Sequence, residues 1–245
     1  MRISTAEFVA IMAMLVATVA ISIDGLLPAL SIIAEELTPL RPNNAQIILS
    51  SFVAGMAIGT LIVGPLSDSY GRKPIIYGGA FIYILTSVVC VVSQSLELIL
   101  VARVLQGVGA SAPRVVAQAL VRDFYKGREM ARISSFIMIV FALVPAVAPL
   151  LGSFVMFAFD WRAIFFMFIA FVAISTIWMG LRINETISEE NRVKFNLRNL
   201  ISAFREVLSH PLILSAVTTL VFAYSILFVG ILLIQPVFER VFGRP

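Results

Sequence analysis

Gly64-Pro65-Leu66-Ser67-Asp68-Ser69-Tyr70-Gly71-Arg72-Lys73 is a short charged connection between two long apolar runs. On its left, Gln46–Leu66 carries no charge; on its right, Ile75–Val92 carries none either. A helix crossing ~30 Å of hydrocarbon needs about 20 mostly apolar residues, so each run is long enough to span a bilayer. The charges between them belong at a membrane surface. Within the connection, Gly71 permits a tight reversal, and Pro74 suits the first position of the next helix. Arg72 and Lys73 can anchor to an anionic leaflet. Asp68 follows a helix C-terminal end, where its charge opposes the dipole unless a cation or another helix start meets it.

The pattern repeats outward from this stretch. Further spans are predicted over Phe8–Leu30, Leu96–Leu120, Ile133–Phe159, Ala163–Leu181 and Leu212–Val237, giving seven in all. The chain is 60% hydrophobic and 13% charged, with mean hydropathy +1.01. Soluble domains are about 45–50% apolar and about 25% charged, so this chain could not hide its apolar surface from water. Barrel strands would alternate over ~10 residues, whereas these runs are continuous. The fold class is an all-α membrane protein.

A pI of about 9.6 could suggest nucleic acid, but the basic residues are placed for a membrane. Arg2, Arg72, Lys73, Arg122, Lys126, Arg128, Arg132, Arg182, Arg192, Lys194, Arg198 and Arg205 fall on one side of the spans. Arg41, Arg162, Arg240 and Arg244 fall on the other. The positive-inside rule then places the N-terminus in the cytoplasm, and seven crossings leave the C-terminus of this chain outside. No nucleic-acid partner is implied. Cys90 stands alone in an apolar span, and His210 is a lone histidine beside Pro211. Neither a nucleophile–base pair nor a metal site can be assembled from them, so the chain is not expected to be an enzyme or to hold a cofactor or metal.

Three segments follow. Residues 1–181 form a six-helix bundle, readable as two three-helix units of opposite topology, a common transporter plan. Residues 182–211 form a cytoplasmic linker with an amphipathic stretch at Leu197–Leu208. Residues 212–245 hold a seventh span, and a lone helix after the linker implies that a second bundle is missing.

Asp24 and Arg103 are ionisable groups inside spans, where charge is costly and usually functional. Asp24 lies about 9 Å below one end of the first span and Arg103 about 10 Å from the same side, so their depths match. The bland reading of Asp24 is a carboxyl reaching interfacial water; that of Arg103 is a structural arginine on backbone carbonyls. Arg114, after a kinking Pro113, is expected to snorkel. Gln106, Gln118, Tyr224 and Gln235 are weaker candidates for cavity lining. Gly55 and Gly59 form a GxxxG surface for close helix approach. Pro145, Pro149 and Gly152 mark a bent, small-faced fifth span.

The spacing Gly64-x-x-x-Asp68-x-x-Gly71-Arg72-Lys73 resembles the signature loop of the major facilitator superfamily, and Arg103-x-x-Gln106-Gly107 resembles its fourth-helix motif. Asp24-x-x-Leu27-Pro28-Ala29, Val121-Arg122-Asp123-Phe124-Tyr125 and Ala148-Pro149-Leu150-Leu151-Gly152 resemble its drug:proton antiporters of the bicyclomycin and chloramphenicol resistance type. So do Asp160-Trp161-Arg162-x-Ile164-Phe165, Asn184-Glu185-Thr186 and Val241-Phe242-Gly243. Ser69 departs from the arginine usual in the signature loop, and Ala142 and Ser153 from fifth-helix glycines.

The resemblance implies a twelve-helix, proton-coupled multidrug efflux transporter of the inner membrane, of which this chain supplies the N-terminal portion. Asp24, Arg103 and Gln106 would serve proton coupling and substrate. Gly64, Asp68, Gly71, Arg72 and Lys73 would gate the cytoplasmic side, with the acid at Asp68 meeting a helix of the second bundle. The substrate would be an apolar or cationic drug, the coupling ion a proton, and the partner the missing C-terminal bundle. Alternatives are uptake of a small metabolite, or a truncated gene product without transport of its own.

Overall fold

The computed structural model describes residues 3–39, 42–188, 190, 192–193 and 195–242. Arg2, Arg41, Lys194, Gly243 and Arg244 lie outside the described residues, as do the side chains of Gln235 and Arg240. The described residues form α-helices and 3-10 turns, with no strand. Among the described residues, seven helical stretches are long and apolar enough to cross a membrane: 5–37, 44–70, 72–92, 96–124, 127–158, 163–182 and 211–230.

The first run is not one helix. α1 (Thr5–Asp24) starts on a Ser4 cap that accepts from the Glu7 N–H, and stops at Asp24. A turn at Gly25–Leu26 and a 3-10 turn at Leu27–Ala29 lead into α2 (Leu30–Leu37). Pro28 explains the break: it has no N–H to give the carbonyl four residues back, which is that of Asp24. The sequence therefore places an acid at the point where its own helix ends.

The connection between the second and third spans is shorter than the sequence suggests. α3 (Ile47–Tyr70) runs through Asp68, and α4 (Arg72–Val92) begins two residues after it ends. Gly71 alone separates them, with φ 101°, a conformation open to glycine and strained for other residues. Asp68 thus sits in the last turn of α3 rather than beyond it, and Pro74 is the third residue of α4.

α5 (Leu96–Phe124), α6 (Gly127–Ala158) and α7 (Ala163–Arg182) complete the first set. Pro113 lies inside α5 without ending it, and Pro145 and Pro149 lie inside α6. Contacts divide the chain into residues 1–194 and residues 195–245. The second unit holds α8 (Leu197–Ser209), capped by the Asn196 side chain, and α9 (Pro211–Phe242).

Within the first unit the helix pairs have a symmetry. α3 lies along α5 and α6 along α1; α4 packs on α5 and α7 on α1; α4 meets α7, and α1 meets α5. Exchanging α1, α3 and α4 for α5, α6 and α7 returns the same pairs, as two repeated three-helix units should.

Lipid tails are as apolar as leucine, so hydrophobicity cannot drive these helices together; close packing of small residues does. Gly55 and Gly59 press on α5: a Cβ on Gly55 would overlap the Val104 carbonyl, and one on Gly59 the Ser111 hydroxyl. Gly107 returns the contact against the Phe52 carbonyl. The outward faces stay apolar, with Phe154, Phe157 and Leu181 largely exposed. α5 has the lowest mean hydropathy among the spans, 1.3 against 2.2 or more, yet much of it is buried. Its Arg103, Gln106 and Ser111 are buried against protein rather than facing lipid.

Candidate functional site

Arg103, on α5, is fully buried. Its Nη1 donates to Gln106 Oε1 at 2.7 Å and its Nη2 to the Ser22 carbonyl of α1 at 2.8 Å. Nε reaches the Ile48 carbonyl of α3 at 3.4 Å, and the guanidinium lies 4.5 Å over the Phe52 ring. Gln106 Nε2 donates in turn to Ser87 Oγ on α4, and Ser87 donates to the Tyr83 carbonyl. Tyr83 and Ser22 share a hydroxyl–hydroxyl bond. One buried cation thus ties α1, α3, α4 and α5 through neutral partners. A buried polar network of this kind specifies a unique packing when each member is satisfied.

Asp24 is 9% exposed, two residues beyond the carbonyl that Arg103 holds. Its carboxyl has no hydrogen-bond or ion-pair partner among the described residues. Matched depth on neighbouring helices is realised, but direct pairing of Asp24 with Arg103 is not: the guanidinium's donors are committed to carbonyls and Gln106. The residue after the acid, Gly25, stands against α6. A Cβ on Gly152 would overlap the Gly25 carbonyl, and one on Gly25 would lie 3.2 Å from the Phe168 ring of α7. The small residue of the helix that carries Pro145 and Pro149 therefore touches backbone next to the acid.

From this crossing toward the N-terminal end of both helices, α1 and α6 part. The groove between them has a volume of about 900 Å³. Ala10, Ala13, Ala17 and Ile21 line one wall, and Val140, Leu143, Val147 and Leu151 the other. Its lining is apolar throughout except for Thr5 at the mouth.

At the basic end a second constellation surrounds Gly71. Arg72 Nη1 donates to Asp68 Oδ1 and to Ser67 Oγ, both at 2.6 Å, while its Nε reaches Asp123 Oδ2 of α5 at 3.1 Å. Thr186 donates to the same Asp123 oxygen at 2.7 Å. Lys73 Nζ donates to the Gly180 carbonyl at 2.8 Å. Of the fates open to Asp68, pairing with Arg72 is the one observed. Glu185 caps the third span, accepting the backbone N–H of Arg72 at 2.9 Å and of Lys73 at 3.0 Å. Burial pushes its carboxyl up, but backbone N–H bonds from Arg72, Lys73, Ile187 and Thr186 outweigh this and hold it below the usual carboxylate range. Asp68, Arg72, Arg114, Gln118, Arg122 and Asp123 line a polar pocket of about 390 Å³. Arg114, half-buried, directs Nη1 to Met56 Sδ at 3.3 Å.

The sequence profile of the Major Facilitator Superfamily matches residues 10–245. The chain belongs to this superfamily. It is 32% identical over 223 residues to a bicyclomycin resistance protein homolog of Haemophilus influenzae, covering 91% of this chain and 56% of the relative. It is 38% identical over 146 residues to a chloramphenicol resistance protein of Pseudomonas aeruginosa, covering 59% of this chain and 35% of the relative. The chain spans about half the length, or less, of these curated relatives. The crystal structure of the human organic anion transporter MFSD10 (TETRAN) superposes with a TM-score of 0.64 over 81% of this chain and 53% of that one. At 17% identity that likeness concerns the fold.

Major facilitator proteins are multi-pass membrane transporters, not enzymes. In this facilitator chain the sequence singled out Asp24, Arg103, Gln106, Asp68, Arg72 and Lys73. It missed Ser22, Tyr83 and Ser87 of the buried network and the capping role of Glu185. Hydroxyls give no charge signal within an apolar span. Glu185 lies 113 residues from the helix start it caps, a separation no local pattern reveals. Gly64 belongs to the signature stretch, yet a Cβ there would meet nothing within 4 Å. Tyr224 is exposed on α9.

Proposed function

We propose that this chain supplies the N-terminal half of an alternating-access transporter that expels apolar or lipophilic cationic drugs across the inner membrane in exchange for protons. Asp24 is the proton-carrying acid. It takes a proton from outside, and proton loss to the cytoplasm is coupled to outward movement of drug. The supporting observation is a largely buried carboxyl without a partner at the broken end of α1, a turn beyond Ile21, which lines an apolar groove of about 900 Å³. An unpaired, largely buried carboxyl responds strongly to its surroundings, which proton coupling requires. Arg103 fixes the Ser22 carbonyl and so the end of α1. Gln106 orients the guanidinium. Gly71, Arg72, Lys73 and Asp68 form the cytoplasmic gate against the second bundle.

Relatives named for resistance to bicyclomycin and to chloramphenicol support drug export over nutrient uptake. The test is efflux of ethidium or chloramphenicol from cells carrying the complete transporter, driven by an imposed pH gradient. Asp24→Asn should abolish the gradient-dependent component. Undiminished gradient-driven efflux in that variant would refute the assignment.

A further inference from the structure

Arg114 is expected to snorkel to the membrane surface, and it does the opposite. α3 and α5 run side by side in one direction, Gly55 against Val104 and Gly59 against Val108, so depths along them compare directly. Arg114 lies about 15 Å before the end of α5 at Phe124. Its guanidinium turns inward to Met56, which lies about 21 Å before the end of α3 at Tyr70. The thioether at 3.3 Å is its only acceptor among the described residues, and a thioether is a weak one. An arginine inside a span, turned inward and lacking an acid, points to a functional site.

The same face of α5 carries two more donors without partners. Gln118 and Arg122 follow Arg114 at four-residue steps and line with it the polar pocket of about 390 Å³. Both are exposed, and neither has a hydrogen-bond or ion-pair partner among the described residues. Gly64 of α3 also lines this pocket, and a Cβ there would meet nothing within 4 Å. Packing does not call for a glycine at that place; keeping the pocket clear does. The charges of the lining do not cancel. Asp68 and Asp123 both bind Arg72, while Arg114 and Arg122 meet no carboxylate, which leaves one net positive charge.

We propose that this pocket binds a small soluble oxyanion of the phosphate kind, with Arg114 at its inner end, Gln118 along its wall and Arg122 at its mouth. Guanidinium groups hold oxyanions through short charge-assisted bonds, and the Gln118 amide adds two further N–H donors. Hydroxyls contribute none, because Thr60 donates to the Met56 carbonyl and Ser67 to the Gly64 carbonyl. Depth selects the source of the anion. α5 is about 43 Å long, the thickness of a bilayer with its headgroups, of which each headgroup layer is about 5–8 Å. Arg114 lies deeper than that layer, so a lipid phosphate stops at Arg122 and a soluble ion continues inward. The site is separate from Asp24 and stands whether or not Asp24 carries protons.

The test follows the phosphorus resonance of inorganic phosphate during titration with the full 245-residue chain in a neutral detergent. High, constant ionic strength screens diffuse attraction. Wild type should broaden the resonance saturably, and Arg114→Gln should weaken the apparent affinity about tenfold or more. Equal broadening by the two proteins would place phosphate elsewhere and overturn the site, as would no broadening by wild type. A second arm adds short-chain phosphatidylglycerol, with short-chain phosphatidylcholine as the control. Phosphate should stay bound; displacement by phosphatidylglycerol alone would assign the pocket to a lipid headgroup and overturn the soluble anion.

Should Arg114→Gln fail to fold, Gly64→Leu decides in its place, because its side chain enters open space and fills the pocket. It should weaken phosphate binding to a similar degree. Unchanged affinity in that variant would overturn the site.

Discussion

The Arg103 guanidinium donates to the Ser22 carbonyl at 2.8 Å, two residues before α1 ends at Asp24. A buried cation therefore fixes the end of the helix that carries the acid, without neutralising the acid. Its neutral partners leave the carboxyl free to change charge. A direct ion pair would have held Asp24 ionised and removed the response that coupling needs.

Arg103 acts through a fork: two terminal nitrogens to different helical partners, and Nε toward a third. A lysine ammonium is a single point and cannot reproduce that planar geometry. Arg103→Lys should destabilise the chain by about 1–3 kcal/mol, the cost of leaving buried acceptors unmet. Thermal unfolding in detergent checks this; an unchanged midpoint would show that the fork is not structural.

Glu185 gives a pH prediction. Its carboxyl is held below the usual carboxylate range by backbone donors, so its contribution is present above the unfolded-state pKa. That contribution is lost as pH falls through the depressed folded value. Glu185→Gln should cost about 1 kcal/mol near neutral pH, the scale of a helix cap. It should also flatten the acid side of the stability profile, so that wild type and variant converge at low pH. Melting temperatures across the acid range would show it.

The glycines separate by surroundings. Gly107→Ala drives a Cβ into the Phe52 carbonyl; overpacking of this kind costs about 1–3 kcal/mol or more. Gly64→Ala meets open space in mid-helix and should stabilise by roughly 0.5–1 kcal/mol through backbone entropy. Gly71→Ala, at φ 101° and with Glu185 Oε2 only 2.8 Å from the added carbon, should resemble Gly107→Ala. Comparative unfolding of the three variants would contradict this if Gly64→Ala proved the most damaging.

Most of the fold was legible because the bilayer imposes one length and one polarity on each span. Seven uncharged or nearly uncharged runs admit little else. The break at Asp24 was not read from the sequence, although Pro28 encodes it, because apolar continuity hid a missing hydrogen bond. The charged connection was read as a loop from its composition. In fact Glu185 and the pairing of Asp68 with Arg72 let helix run through Tyr70 and resume at Arg72. Site residues that bear charge could be picked out one by one. Their partners are hydroxyls, carbonyls and glycine surfaces brought together by packing, and these have no signature of their own.

The most direct measurement is proton release on drug binding. The complete transporter, purified in weakly buffered detergent with a pH dye, would be mixed with saturating ethidium near neutral pH. The account predicts release that vanishes in Asp24→Asn and persists in Lys73→Gln, which alters the gate but leaves the acid intact. Release of the same size in wild type and Asp24→Asn would contradict it.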